Sequence, residues 1–420
     1  MEVIRDVKKV INQVFGKENM FGYETTLANQ MYLLYCVLGN VYYTDKIHRK
    51  TKLVWFWIVY ISWLPASVSI LLYIVYGRQT GDLVLLIYIG FLLVLMLMES
   101  IVKPAIALYW YRNDIEQMIS MADKILAKTP STTRTSTSDK YLDAKTITSS
   151  ILVGLGTSIA VYVSVATIDV IFFYREEKVK NYMYYLVPLS GVEQFGSFEF
   201  YIAYHLVLYG TFWGLVIVVL MHRVISVPWA VICHNEAQRI IDELNSLSED
   251  TDINIDTFRS IEPKCRYVIK KCIHDIKNLN RFISTYRGFF ETYASHTLPI
   301  LLYIEVVHAL IAVSPDIPFI IRVREFIVLI VSIQEVYITC WIGATLEQTT
   351  SDLSFAVYST PWYWLKSIRK DVYILLCQTQ ASINPRALNV YPITLATFLR
   401  FCNVINSTVN VFRAYTDTRK

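Results

Sequence analysis

Seven long apolar segments limit the folds that this sequence can adopt. They cover residues 53–76, 83–108, 147–173, 200–221, 290–312, 319–345 and 391–412. Each is long enough to cross the hydrocarbon core of a bilayer as a helix, which takes about 20 mostly apolar residues. A helix satisfies its backbone polar groups within the segment, as lipid requires. The sequence therefore predicts an all-α membrane protein with seven transmembrane helices.

Lysine and arginine are unevenly divided between the segments that connect these spans. The N-terminal region and the loops after spans two, four and six hold 28 of them, and the alternate set holds 7. Cytoplasmic loops carry the excess of basic residues, which predicts a cytoplasmic N-terminus and an extracellular C-terminus. Residues 1–20 are charged and have no apolar core, so we expect no cleavable signal peptide. The net charge of +4 reflects this asymmetry and requires no nucleic-acid partner.

The long cytoplasmic loop over residues 222–289 ends in a predicted amphipathic helix. Apolar residues recur at helical spacing from Cys265 to Tyr286. The rest of the helix surface is basic, with Lys264, Arg266, Lys270, Lys271 and Lys277. Such a helix can lie on a membrane or bind calmodulin. Its continuity with the fifth span favours packing against other cytoplasmic helices, because the apolar stripe must be covered.

Aromatic residues concentrate toward the predicted outer ends of the spans. Span four carries Tyr201, His205, Tyr209 and Phe212 on one face, and spans two and three carry Tyr88, Phe91 and Tyr162 at similar depth. Together they could line an apolar pocket with a few polar groups, which suits a small neutral ligand. Packing in a structural core, or an aromatic belt at the membrane interface, is the alternative explanation for each residue.

Charged residues within the spans are candidates for function, since they are costly in a membrane. Glu99 and Lys103 are spaced as an ion pair, Glu305 and His308 share a face of span five, and Glu335 lies deep in span six. A hydrogen-bonded structural role is the alternative for each. The sequence contains no H-E-x-x-H, G-x-S-x-G or Walker motif and no metal-ligand spacing. We therefore expect no enzyme activity, no metal and no cofactor.

The seventh span is unusually polar for a membrane helix. Its polar residues are Thr394, Thr397, Arg400, Asn403, Asn406, Ser407, Thr408 and Asn410. Polar groups in a spanning helix normally face protein or water. Two interpretations remain open on spacing alone: hydrogen bonds that hold helices together, or the lining of an ion path.

The C-terminal part of the chain, from Cys340 to Tyr415, resembles the signature of insect odorant receptors. The resemblance rests on Cys340, Ser354, Tyr358-Ser359-x-x-Trp362-Tyr363, Arg369-Lys370, Gln378-x-Gln380, Pro392, Thr394-Leu395-x-Thr397-Phe398 and Asn406-Ser407. Length, seven spans and a cytoplasmic N-terminus agree along the whole chain. The helix end reads Thr408-Val409 and Ala414-Tyr415, which is closer to a tuned odorant receptor than to the co-receptor or a gustatory receptor.

The resemblance implies a ligand-gated, non-selective cation channel, formed as a tetramer with the shared odorant receptor co-receptor. It would lie among lipids in the plasma membrane of olfactory sensory neuron dendrites and bind a small volatile odorant. The implied regions are an N-terminal segment (1–52), spans one to four with the pocket (53–221), cytoplasmic anchor helices (222–289), spans five and six (290–345), an anchor segment (346–390), and the pore helix with its tail (391–420).

The same resemblance implies which residues of the last helix line the pore. The implied pore face consists of Arg400, Val404, Ser407, Thr408, Val411 and Tyr415, with the gate at Val411 and Tyr415. At about 100° per residue, the asparagines lie to one side of this face. We assign Asn403, Asn406 and Asn410 to contacts with neighbouring helices.

The main rival among seven-helix proteins is a G-protein-coupled receptor. That class would have an extracellular N-terminus, a D/E-R-Y triplet after span three and N-P-x-x-Y in span seven. Neither motif is present, and Asn384-Pro385 lies in a loop. A gustatory-type channel of the same superfamily is the second alternative. A transporter would more often show internal repeats, and the sequence has none that stands out.

Overall fold

The structure is a computed structural model of the single chain. It describes residues 226–247, 255–315, 317, 319–360, 362, 366–380 and 383–417, with isolated residues between 114 and 164. The N-terminal region and spans one, two and four lie outside the described residues, and with them Glu99 and Lys103. The described residues of span three are all helical.

Helices make up nearly all of the described chain. They are α1 (residues 226–247), α2 (Ile255–Val313), α3 (Phe319–Ser359), α4 (Arg369–Thr379, after a 3-10 turn over Lys366–Ile368) and α5 (Leu395–Asp417). Two short antiparallel strands, β1 (Arg386–Ala387) and β2 (Tyr391–Pro392), join α4 to α5. Apart from this hairpin, the described residues agree with the all-α prediction.

Helix α2 confirms the predicted continuity between the cytoplasmic helix and the fifth span. It runs for 59 residues, and neither Pro263 nor Pro299 ends it. The apolar stripe from Cys265 to Tyr286 is buried except for half-buried Val268. The five predicted basic residues are all exposed on the other side. The periodicity of the apolar residues was sufficient to predict the buried face of this helix, because protein covers that face along its length.

Two of the described helices are long and apolar enough to cross a membrane. They lie within α2, over Glu262–Val313, and within α3, over Arg322–Ser359. The predicted spans 290–312 and 319–345 fall inside them. Both helices extend well past their predicted spans, α2 at its beginning and α3 at its end. Through these extensions, the segments that the sequence predicts to be cytoplasmic come into contact.

Helix α1 packs antiparallel against the first half of α2. The Tyr286 hydroxyl donates to the backbone oxygen of Ser226 at 2.6 Å, and Arg239 donates to Asp275 at 2.7 Å. Residue numbers therefore rise along α1 as they fall along α2. The Trp229 ring meets Tyr286 edge-on at 5.8 Å. This pairing covers the apolar stripe of α2 within the chain and supports packing over a position on the membrane surface.

Helix α4 packs against the same part of α2, on a different side from α1. Val372 and Leu375 are fully buried, and α4 contacts both α2 and α3. The Asn280 side chain donates to the backbone oxygen of Gln378 at 2.9 Å. Large aromatic side chains of α2 fill the centre of this core, namely Phe282, Tyr286, Phe289, Phe290 and Tyr293.

The hairpin turns over residues 387–390. The Val390 N–H donates to the Ala387 oxygen at 3.1 Å, and both central residues have positive φ angles, 53° at Leu388 and 58° at Asn389. Positive φ at both central positions defines a type I′ turn. Leucine is uncommon in that conformation. The sequence lacks the usual glycine, and this explains why the hairpin was not predicted.

Contacts with α2 and α3 hold the hairpin in place. The Arg386 N–H donates to a Glu291 carboxylate oxygen at 2.9 Å, and the Leu388 N–H donates to Ser295 Oγ at 2.6 Å. On α3, the Ile393 carbonyl oxygen lies only 2.0 Å from where a Cβ would be at Gly343. Glycine is required at that position because the backbone of the chain comes so close.

The seventh helix starts later than the sequence predicts, at Leu395 rather than at Tyr391. Thr394 caps it: its hydroxyl oxygen accepts from the Thr397 N–H at 3.4 Å, and the Thr397 hydroxyl donates to the Pro392 carbonyl oxygen at 2.5 Å. An apolar window does not distinguish a capped turn from a helix, which explains the error. The helix continues to Asp417, five residues past the predicted end.

Candidate functional site

Helix α5 contacts the rest of its chain through one apolar face. Ile405 and Val409 are buried there and pack with Ala309 of α2, while Phe401 is partly buried beside them. Nearer the start of the helix, Phe398 meets Tyr337 of α3 edge-on at 5.4 Å. Among the described contacts, apolar side chains therefore hold α5 to the rest of its chain.

The predicted pore face points away from this contact. Val411 is 70 % exposed and Val404 46 %, and Arg400 and Ser407 are exposed as well. Thr408 is half-buried, and its hydroxyl donates to the Val404 oxygen at 2.9 Å. The Tyr415 side chain lies outside the described residues. Four of the five described positions are thus exposed in the single chain, and their lining of a pore stays a prediction.

The three asparagines of α5 occupy the remaining exposed part of the helix. Asn403, Asn406 and Asn410 are all exposed, and the Asn410 amide reaches only Asn406, at 3.5 Å. No described helix of this chain covers them. The predicted contacts with neighbouring helices therefore require a helix beyond the described residues of this subunit.

A buried ionic cluster joins α2 and α3 toward the predicted outer side. His308 Nδ1 lies 2.5 Å from one oxygen of the Glu325 carboxylate, and Arg324 donates twice to the other oxygen, at 2.7 and 2.9 Å. All three side chains are at most 3 % exposed. Sequence analysis found His308 but missed its partners, because they follow 16 and 17 residues later on another helix. A buried charge needs such partners to be tolerated.

The other two acidic residues of these spans have different surroundings. Glu335 accepts a hydrogen bond from the Tyr293 hydroxyl at 3.2 Å, which fits the structural alternative. Glu305 has 0 % exposure, and neither carboxylate oxygen has a hydrogen-bond partner in the described part of the chain. Glu305 and His308 share a face of α2 as expected, but only His308 is paired there.

The helices that the sequence predicts to be cytoplasmic hold a second buried ionic cluster, centred on Arg239 of α1. Its guanidinium donates to Glu236 at 2.7 and 2.9 Å, to Asp275 at 2.7 Å, and to Glu243. Burial lowers the pKa of Arg239, but the hydrogen bonds and charge of Glu236, followed by those of Asp275 and Glu243, outweigh it and raise the pKa. The cluster connects α1 to α2. Asp275, an isolated acid among basic residues, was the available signal in the sequence.

Aromatic side chains are exposed near the end of α3 and on α4, on the side that the sequence predicts to be cytoplasmic. Phe355 is 72 % exposed, Tyr358 66 % and Tyr373 67 %. A groove of about 380 Å³ runs beside them, lined by Thr350, Ser351, Ser354, Phe355, Tyr358, Leu376, Thr379 and Gln380. Exposed apolar groups that cluster in this way commonly mark a protein–protein contact.

The predicted ligand pocket cannot be compared with the structure. Its residues, Tyr88, Phe91, Tyr162, Tyr201, His205, Tyr209 and Phe212, all lie outside the described part of the chain. Their role stays a prediction.

A family model and two solved structures match this chain over most of its length. A family model described as 7tm Odorant receptor matches residues 91–405. The structure of the insect olfactory receptor OR5 from Machilis hrabei in complex with eugenol aligns with a TM-score of 0.67 at 8 % identity, over 92 % of this chain and 97 % of that chain. A second structure of that receptor gives 0.55 at 7 % identity, over 91 % and 96 %. Curated proteins gave no match.

Proposed function

Because this chain belongs to the odorant receptor family of seven-transmembrane proteins, we propose that it is the tuned subunit of an odorant-gated, non-selective cation channel. Its partner is the shared co-receptor, in a tetramer in the plasma membrane of olfactory sensory neuron dendrites. The family is one of membrane receptors rather than enzymes. The observation that carries the channel proposal is the face of α5 with Arg400, Ser407 and Val411, which its own subunit leaves exposed.

Physical constraints on α5 support a pore. An arginine and a serine on one face of a membrane helix need water or protein beside them. The opposite face, at Ile405 and Val409, already provides the contact with the subunit. Helices that meet around an axis would place the exposed face toward water. Val411, near the outer end, then forms an apolar constriction that closes by excluding water.

The exposed aromatic residues of α3 and α4 support assembly in the cytoplasm. Phe355, Tyr358 and Tyr373 lie beyond the predicted inner end of span six, where no lipid covers them. Aromatic residues are enriched in the cores of protein–protein interfaces. This surface is the proposed anchor that contacts the co-receptor.

A small volatile molecule is the proposed ligand. The receptor with the similar fold is described in complex with eugenol, a small organic molecule. The proposed ligand site of this chain is the outer half of spans two to six, where the sequence predicts the aromatic pocket. The aromatic residues predicted there would provide apolar contacts and a few hydrogen bonds.

Co-expression with the co-receptor tests the function. We expect odorant-evoked cation currents that cells with the co-receptor alone do not produce. Surface labelling of the chain ensures that a negative result is informative. Correct surface expression without current across a broad odorant panel would contradict the proposal.

The pocket is tested by Tyr201→Ala and His205→Ala. Each change should raise the odorant concentration needed for half-maximal current by about tenfold, because losing one good ligand contact costs about 1–2 kcal/mol. Responses to an agonist that acts directly on the co-receptor should stay normal. If both kinds of response disappear together, the variant is misfolded, and if neither changes, these residues do not line the pocket.

The gate is tested by Val411→Ser. A hydroxyl at an apolar constriction makes it easier to wet, so current in the absence of odorant should rise several-fold. Leu399→Ser is the matched control, since Leu399 is 62 % exposed and lies about 120° away around the helix. An equal rise in both variants would argue against a specific gate at Val411.

A further inference from the structure

Glu305 is a buried acid that its surroundings do not satisfy. It lies in α2, within the predicted fifth span, and is 0 % exposed. Both carboxylate oxygens lack a hydrogen-bond partner. Buried carboxyl groups are normally paired or hydrogen-bonded, so this one calls for an explanation.

The groups around Glu305 offer no compensating charge. On α3, Glu335 is a second acid, and the Tyr293 hydroxyl donates to it. On α5, Cys402 lies about one turn before Ile405, which packs with Ala309 of α2 and carries no charge. On α2 itself the nearest cation candidate is His308, which is bound to Glu325 together with Arg324. Among the described residues, no cation forms an ion pair with Glu305.

This arrangement accommodates the neutral acid far better than the carboxylate. A charge without hydrogen bonds or a counter-ion is strongly disfavoured away from water. The neutral acid removes this penalty.

Helix α5 is also the element whose movement would open the proposed pore. It is held to α2 by a small apolar contact at Ala309, Ile405 and Val409. Glu305 lies about one turn before that contact on α2, as Cys402 does on α5. A shift of α5 away from α2 would admit water to the Glu305 carboxyl. Once hydrated, a glutamate ionises at neutral pH.

We propose that Glu305 is a positioning residue for gating, neutral while α5 is packed against it and ionised when α5 moves, so that protons oppose channel opening. This rests on the proposed function as a channel. On opening, the carboxyl O–H bond breaks and the proton passes to water, which leaves the carboxylate hydrated. Opening releases one proton per subunit of this type, so acid stabilises the closed state.

The test is the pH dependence of odorant-evoked current between about pH 6 and about pH 8, where a water-exposed glutamate is ionised. At a low, fixed odorant concentration the wild-type current should rise with pH, by up to about tenfold per unit for release of one proton. Glu305→Gln should remove this component, since glutamine mimics the neutral acid. The co-receptor alone, opened by its direct agonist, defines the background.

Glu335→Gln is the matched control, because it removes the other buried acid of this region and should keep the wild-type pH profile. Glu305→Asp retains an ionisable group and should keep a pH dependence. A wild-type profile in Glu305→Gln would overturn the proposal. Loss of surface expression in Glu305→Gln would also overturn it, since the isosteric neutral side chain should fit this packing. Wild-type complexes without odorant-evoked current at any pH would instead contradict the channel function, and the gating role with it.

Discussion

Replacement of Gly343 by alanine is expected to abolish most channel function by displacing the segment that leads into α5. A Cβ at this position would lie 2.0 Å from the carbonyl oxygen and 3.0 Å from the carbonyl carbon of Ile393. These are backbone atoms, so no rotamer change relieves the clash. Overpacking of this kind costs about 1–3 kcal/mol, more than the about 1 kcal/mol that alanine gains over glycine in a helix.

Thermal unfolding and chromatographic homogeneity of the purified complex measure this effect. Gly154→Ala and Gly156→Ala are matched controls, because nothing lies within 4 Å of a Cβ at either helical position. They should leave stability unchanged or slightly raise it. If Gly343→Ala is as stable as these controls, the backbone at Gly343 does not lie this close to Ile393.

Replacement of Arg239 by methionine should be the most destabilising single change among the cytoplasmic helices. It removes the ion-pair partner of Glu236 and of Asp275, which are both buried. Removal of one partner from a buried ion pair costs about 3–5 kcal/mol. We expect loss of the folded protein at the cell surface and a lower unfolding temperature for any that is recovered. Arg239→Lys should rescue only in part, because lysine lacks the planar fork that contacts several carboxylates.

Lys271→Met is the matched control for this cluster. Lys271 also binds Glu243, at 2.7 Å, but its side chain is 44 % exposed. Exposed ion pairs contribute about 0–1 kcal/mol, so this variant should be close to wild type. Equal losses in both variants would mean that burial of the Arg239 cluster is not what stabilises α1 against α2.

Periodicity in the sequence was enough for the long helices. The stripe from Cys265 to Tyr286 recurs with the period of a helix, and the structure buries nearly all of it in one unbroken α2. The spans within α2 and α3 were predictable for a similar reason, since composition alone decides whether a segment can enter lipid. The family was also legible in the sequence, through the motif from Cys340 to Tyr415 and the agreement of the whole chain.

The hairpin before α5 was not predictable in the same way. Its turn places Leu388 at a positive φ angle without the usual glycine, and contacts with Glu291 and Ser295 hold it there. These residues are more than 90 positions away in the chain. Gly343 was an isolated glycine in a span, which is a weak signal for close approach of two backbones. Only the structure identifies Ile393 as the neighbour.

Helical spacing in the sequence was sufficient for some of the predicted functional residues and not for others. Arg400, Val404, Ser407 and Val411 share the exposed side of α5, as helical spacing required once that segment was a helix. No described helix of this chain covers Asn403, Asn406 or Asn410. Their spacing in the sequence did not show this. The residues of the aromatic pocket stay a prediction on sequence grounds.

By itself the sequence predicted the membrane spans within α2 and α3, the polar faces of α2 and α5, and the family that the chain resembles. These are local properties, set by composition and by the 100° turn per residue of a helix. Tertiary structure decided which polar groups are satisfied. Among the described residues, the Glu325 carboxylate is hydrogen-bonded to His308 and Arg324, and the Glu335 carboxylate to Tyr293. The Glu305 carboxylate has no hydrogen-bond partner there. Similar acids within similar helices differ because hydrogen bonding depends on which side chains two helices bring to the same depth.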